Sequence, residues 1–104
     1  MIIHVEAAAG ATAGILSQNG QSFACALGRT GIIPAKDKRE GDGATPAGAW
    51  PLRRVLYRAD RMAKPVTSLP AEAIKASDGW CDAPEDPCYN RGVQLPYKAS
   101  AETL

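Results

Sequence analysis

The sequence predicts a mainly β fold with little helix, and three observations carry that expectation. The runs "AGILSQ" and "QSFACALG" flank Asn19-Gly20, a pair suited to the positive φ angles of a type I′ hairpin turn. Phe23, Cys25 and Leu27 alternate with Ser22, Ala24 and Ala26, which puts the larger apolar groups on one face. From residue 58 onward no apolar period is sustained, and prolines and glycines interrupt the chain.

Taken in order, "MIIHVE" reads as a short strand and residues 13–28 as the hairpin. A polar, turn-rich loop follows, "KDKREGDGATPAG", residues 36–48, through which no hydrophobic period runs. "AGAWPLRRVLYR" reads as a strand: Trp50, Leu52 and Leu56 share one parity, Val55 and Tyr57 take the other, and Pro51 pushes it towards an edge or bulge. "LPAEAIK" suits a single helical turn. "SDGWCDAPEDPCYNRGVQLP" reads as an ordered loop or extended excursion, which leaves a long irregular second half. Loops of that length are uncommon in compact domains, so such a half is either functional or incomplete.

The 104 residues fit one domain, and 45% hydrophobic with 22% charged residues is ordinary for a globular chain. A net charge of +1 gives no electrostatic case for nucleic acid or an anionic membrane. The N-terminus lacks a basic n-region and carries His4 and Glu6 in its apolar run, so no signal peptide is expected. No stretch approaches the roughly 20 apolar residues of a membrane span. The default expectation is the cytoplasm, with the three cysteines reduced.

Several groups could carry chemistry. The central loop offers Lys36, Lys38, Arg39, Glu40, Asp42 and Thr45, either as a solvated connection or as a rim for a charged substrate. It is not a Walker-type phosphate loop, because the Gly-Lys-Ser/Thr ending and the following helix are missing. Cys25 and the single histidine, His4, are the raw material of a thiol nucleophile and its base. The competing reading makes Cys25 a small core hydrophobe between Phe23 and Leu27, and His4 an exposed strand residue. Cys81 and Cys88 bracket "DAPEDP", but their spacing exceeds that of structural zinc sites, so no metal is expected.

The stretches "CALGRTGI", "DKREGDGATPAG", "YRADR", "DGWCDAP", "YNRGVQLP" and "SAETL" appear together and in order. With them the chain resembles the L,D-transpeptidase catalytic-domain family, over nearly its whole length. Thr45-Pro46-Ala47-Gly48 matches the family's widely shared Thr-Pro-x-Gly element, and the Lys-Arg-Glu-Gly-Asp-Gly lead-in is more specific. The resemblance implies a β-sandwich or barrel and acyl transfer between peptidoglycan stem peptides. A cysteine thiolate would attack a diaminopimelate carbonyl, and an amine of a second stem would displace the thioester. The family's His and Ser/Thr-x-Gly-Cys stretch lies C-terminal to everything matched here, and no Ser/Thr-x-Gly-Cys occurs in the chain.

The expectation is therefore a partial domain, residues 1–104, incomplete in fold, with no catalytic residue, no cofactor and no activity of its own. The alternative is a short non-catalytic module that binds peptidoglycan peptides or a partner protein. Candidate cleft-lining or bracing residues are Arg39, Glu40, Asp42, Thr45, Trp80, Asp82, Tyr89 and Asn90. Strands lacking sheet partners would leave edges open to self-association.

Overall fold

The computed structural model describes residues 1–104, which form two compact units, Met1–Ala49 and Trp50–Leu104. The architecture is strand-based, with a single 3₁₀ turn as its only helix. Its strands form four small open sheets, and none closes into a barrel.

The first unit begins with an antiparallel meander of β1 (His4–Glu6), β2 (Ala13–Gln18) and β3 (Gln21–Ala26). Asn19 and Gly20 join β2 to β3 with φ of 54° and 79°, the two positive angles that a type I′ turn requires. The register sets Val5, Leu16 and Phe23 side by side across one face. That row is poorly covered. Phe23 is 56% exposed, so Cys25 is half-buried and not the core residue that strand alternation suggested.

The unit continues with β4 (Gly31–Ile33) and β5 (Ala44–Pro46), which lie parallel and are joined by the polar loop, residues 34–43. The 3₁₀ turn, Ala35–Asp37, sits in that connection. Thr30 N–H donates to Gly43 O at 3.0 Å and Ala47 N–H to Ile33 O at 2.8 Å, extending the pairing at both ends. Gly28 lies so close to this strand that an added Cβ would collide with the carbonyl oxygen of Gly43 and sit 2.9 Å from the Ala44 carbonyl carbon.

In the second unit, β6 (Val55–Tyr57) pairs in parallel with β7 (Ala71–Ala73). β8 (Asp78–Cys81) lies between β9 (Gly92–Gln94) and β10 (Ala101–Thr103), antiparallel to both. Along β8, Gly79 and Cys81 turn inward while Asp78 and Trp80 turn outward. The inner face meets the core cluster of Cys81, Ala83 and Val93, against which Cys88, Tyr97, Ala99 and Ala101 pack.

Three expectations are corrected here. "LPAEAIK" is too short to nucleate a helix, and residues 71–73 instead become β7. Val55 N–H donates to Pro70 O at 2.8 Å and Ile74 N–H to Tyr57 O at 2.9 Å, which locks that strand in place. The strand expected over "AGAWPLRRVLYR" shrinks to Val55–Tyr57, the only part that finds a partner; Trp50 and Leu52 stay exposed. The excursion expected over residues 77–96 is a hairpin of β8 and β9. Its reversal uses consecutive turns, closed by Asp86 N–H to Ala83 O (3.0 Å) and Tyr89 N–H to Asp86 O (2.9 Å). Pro84 and Pro87 occupy the second position of each, where a fixed φ suits the turn.

The close approach at Gly28 generates a direct test. Gly28→Ala should lower stability by about 1–3 kcal/mol, the usual cost of an overpacked contact, because both obstructing atoms are backbone. Urea denaturation of the two proteins would measure it.

Candidate functional site

The central loop is tied together by one carboxylate. Asp42 Oδ1 accepts from Lys38 Nζ at 2.6 Å and from Ala44 N–H at 2.8 Å, while Oδ2 accepts from Arg39 N–H at 2.7 Å. Lys38, followed by the two backbone donors, holds the Asp42 carboxyl well below the usual carboxylate range. Thr30 Oγ1 donates to Asp42 O at 2.7 Å, and Gly28 N–H donates to Thr45 Oγ1 at 2.8 Å. The Arg39 guanidinium turns to the carbonyls of Lys36 and Lys38, at 3.1 and 2.8 Å. The ion pair of the loop is therefore Lys38–Asp42, and Arg39 meets Asp42 through its backbone. Glu40 is exposed in the same loop.

A second anchored loop closes β8 onto β9. Cys81 N–H donates to Arg91 O and Asn90 N–H to Cys81 O, both at 2.9 Å, so Asn90 and Arg91 together oppose Cys81. This is a β-bulge, and Asn90 takes the left-handed conformation there, with φ of 58°. The bulge aims the Asn90 side chain at the indole, and Trp80 Nε1–H donates to Asn90 Oδ1 at 3.0 Å. Within the loop, Asp86 accepts from Cys88 N–H at 3.2 Å and from Tyr97 O–H at 2.7 Å. The Tyr97 hydroxyl holds the Asp86 carboxyl below its ordinary range; Cys88 and then Asp86 push the Tyr97 hydroxyl up. Tyr89 gives its N–H to the turn. Asp82 donates its N–H to Ser100 O at 3.2 Å, and its Oδ1 is shielded without a hydrogen-bond partner.

The outward face of β8 and β9 carries an open cleft of about 190 Å³, lined wholly by residues of the second unit. Trp80 forms its wall, Leu56 and Leu104 add apolar surface, and Arg54 and Glu72 supply opposite charges. Arg54 Nη2 and Trp80 Cζ3 both lie beside Gly92, 3.7 and 3.9 Å from where a Cβ would stand. The guanidinium and the ring therefore border the same hollow. No ion pair joins Arg54 to Glu72, so both charges face the hollow unneutralised. Asp78 is differently placed. It is held by Lys75 N–H at 2.8 Å and Gln94 Nε2 at 2.9 Å, in that order the causes of its lowered carboxyl pKa.

Of the residues singled out from sequence, Arg39, Asp42 and Thr45 gather around the first loop, and Trp80 and Asn90 meet at the second. Arg54, Glu72, Asp86 and Tyr97 are additional, and they come from parts of the chain that no motif joins. Only the prolines flanking Asp86 hinted at a built turn.

The thiols stand apart from any base. His4 aligns with Ser17 and Ser22, whereas Cys25 aligns with Gly14, so the two side chains project from opposite faces of one sheet. Cys81 is fully buried in a strand and is not a loop residue. Cys88 is half-buried against Tyr97. No group of three or more His, Cys, Asp or Glu side chains is placed to hold a metal ion, and no helix is long and apolar enough to cross a membrane.

Acid should loosen the structure by a defined route. An unfolded Asp titrates near 3.9, and Asp42 titrates lower when folded, so its contribution is complete above about pH 4 and fades as pH falls below that value. Asp60, Asp78 and Asp86 are shifted the same way. Asp42→Asn should lower the urea midpoint at neutral pH and make the further loss on acidification smaller than in the wild type. In a separate absorbance titration, Tyr97→Phe should delete a tyrosine ionisation step displaced to the alkaline side of the ordinary phenol range. In comparisons with known proteins, no family model, no curated protein and no solved structure matches the chain.

Proposed function

We propose that the chain is an L,D-transpeptidase-like portion that binds peptidoglycan stem peptides and performs no acyl transfer by itself. The observation that carries the binding half is the cleft, in which Arg54, Glu72 and the Trp80 ring border one hollow. A stem peptide offers carboxylates to the guanidinium, an amine to Glu72 and aliphatic surface to the indole. Asn90 fixes the ring in advance, so little side-chain freedom is lost on binding. A volume of about 190 Å³ suits one amino-acid head group, not a whole peptide.

The inactive half rests on the thiols. A cysteine nucleophile needs a lowered pKa and a base within reach. Cys25 has its histidine on the opposite sheet face, Cys81 is sealed in the core, and Cys88 faces a phenol and a carboxylate. A β-sandwich of the family's type remains part of this proposal. So does an envelope substrate.

Two measurements test it. Tetrapeptide stem should perturb the amide resonances of residues 79–81 and 92–94, and Arg54→Ala or Trp80→Ala should each weaken binding about tenfold, or roughly 1.4 kcal/mol. Incubation with a carbapenem, which acylates nucleophilic cysteines in that family, should leave the intact mass unchanged. A stoichiometric adduct on Cys25, Cys81 or Cys88 would refute the inactive half, and unperturbed resonances would refute the binding half.

A further inference from the structure

We propose that two copies of this chain join edge to edge along β3, about a twofold axis at Ala24, to form one continuous antiparallel sheet. This does not depend on the peptide-binding reading, because it rests on the first unit alone.

The free backbone groups of β3 follow from its pairing. Gln18 and Gln21 close the turn, and Leu27 N–H donates to Thr12 O at 2.9 Å. Residues 21, 23, 25 and 27 therefore direct their N–H and C=O groups to β2, since bonded and non-bonded pairs alternate. Ser22, Ala24 and Ala26 direct theirs outward, to an edge that no strand covers. The opposite edge differs. By the same alternation, His4 and Glu6 spend their backbone groups on β2, leaving Val5 as the outward residue of a strand of 3 residues.

Exposed edges are normally guarded by charge, proline, a bulge or short length. β1 is short and carries His4 and Glu6. β5 ends in Pro46, and β10 carries Glu102. β3 has 6 residues, QSFACA, with none of these guards. No other edge strand is as long.

A second copy fits this edge because the outward groups are centred on Ala24. In an antiparallel pair with Ala24 facing Ala24, Ser22 faces Ala26 of the second copy, and every outward N–H and C=O along the three residues finds a partner. Phe23 then stands opposite Cys25 of the second copy, on the face that already carries Val5 and Leu16. The exposed ring gains a neighbour, and the apolar row runs on across the axis. A net charge of +1 on the chain offers little repulsion between copies.

Apolar surface is open on the face that a second copy would extend: Phe23 and Val5 are 56% and 40% exposed.

Sedimentation velocity from micromolar to near-millimolar concentration should show a monomer–dimer equilibrium. Ala24→Pro removes only an outward N–H and no β2–β3 bond, so it should weaken dimerisation about tenfold or more with the far-ultraviolet circular dichroism unchanged. Ala24→Lys, which places like charges at the axis, should do the same and keeps the test open if the proline variant fails to fold. Ala24→Cys in a Cys25→Ser background should cross-link under oxidised glutathione, which takes up the two electrons and protons, because facing Cα atoms about 5.5 Å apart lie within disulfide range. A wild-type chain that stays monomeric throughout, or a dimer unaffected by both Ala24 variants while they remain folded, would overturn the proposal.

Discussion

The carboxylate of Asp42 is the interaction on which the first unit most depends. It gathers an ammonium and two backbone N–H groups into one knot, and thereby fixes the connection between two parallel strands. Parallel pairing ordinarily uses a longer crossover carrying a helix of its own. Here the crossover is residues 34–43 with a single 3₁₀ turn, and the aspartate supplies the order that a helix would otherwise provide. Asp78 and Asp86 act in the same way in the second unit, each accepting a backbone N–H two or three residues away. The pattern answers to a thin core. Ala44, Cys81, Ala83 and Val93 are the buried hydrophobic residues, and none is large. Where apolar burial is small, local hydrogen bonds to charged acceptors carry more of the ordering, since such bonds are about twice as strong as neutral ones.

What could be read from sequence was what is local. Asn19-Gly20 encodes its turn through backbone angles alone, so the hairpin and its register were legible before any partner was known. Residues 71–73 were not legible, because they become a strand through bonds to residues 55 and 57 that their own composition does not announce. The hairpin over residues 78–94 carried turn signals in Pro84 and Pro87, yet so many breakers in succession masked the short strands around them. The cleft was hidden for a related reason. Trp80 and Asn90 stood out within one motif-like stretch, but Arg54 and Glu72 reach the same hollow from separate strands or their approaches.

The two anchored loops also differ in what they leave available for chemistry. Around Asp42 nearly every polar group is spent: the lysine on the carboxylate, the arginine on carbonyls, and the threonine hydroxyls on backbone partners. Such a loop has rigidity to offer, with little free hydrogen-bonding capacity for a ligand. The face of β8 and β9 is the reverse. Its aspartate and asparagine are committed to holding Gln94 and Trp80, while Arg54 and Glu72 are committed to nothing within the unit. Recognition belongs where orientation is fixed but charge is unspent, which favours the second unit over the conspicuous central loop.

The thin core and the open edges have one origin. Strand alternation gives β3 an apolar row, and register places Val5, Leu16 and Phe23 side by side, but no second layer in the first unit covers them. A sheet so made is stable in its own hydrogen bonds and unsatisfied in its surface. Pairing β3 with another copy would add backbone hydrogen bonds and cover the flank of the Phe23 ring, at about 25 cal/mol per Å² of apolar area, against the loss of translational and rotational freedom on association. The balance turns on how little must be reordered. β3 is already extended, its outward groups already alternate in phase with a twofold mate, and Asn19-Gly20 holds its register to β2. Preorganisation of that kind lets a modest area produce a measurable association, and the same feature leaves an unguarded edge exposed.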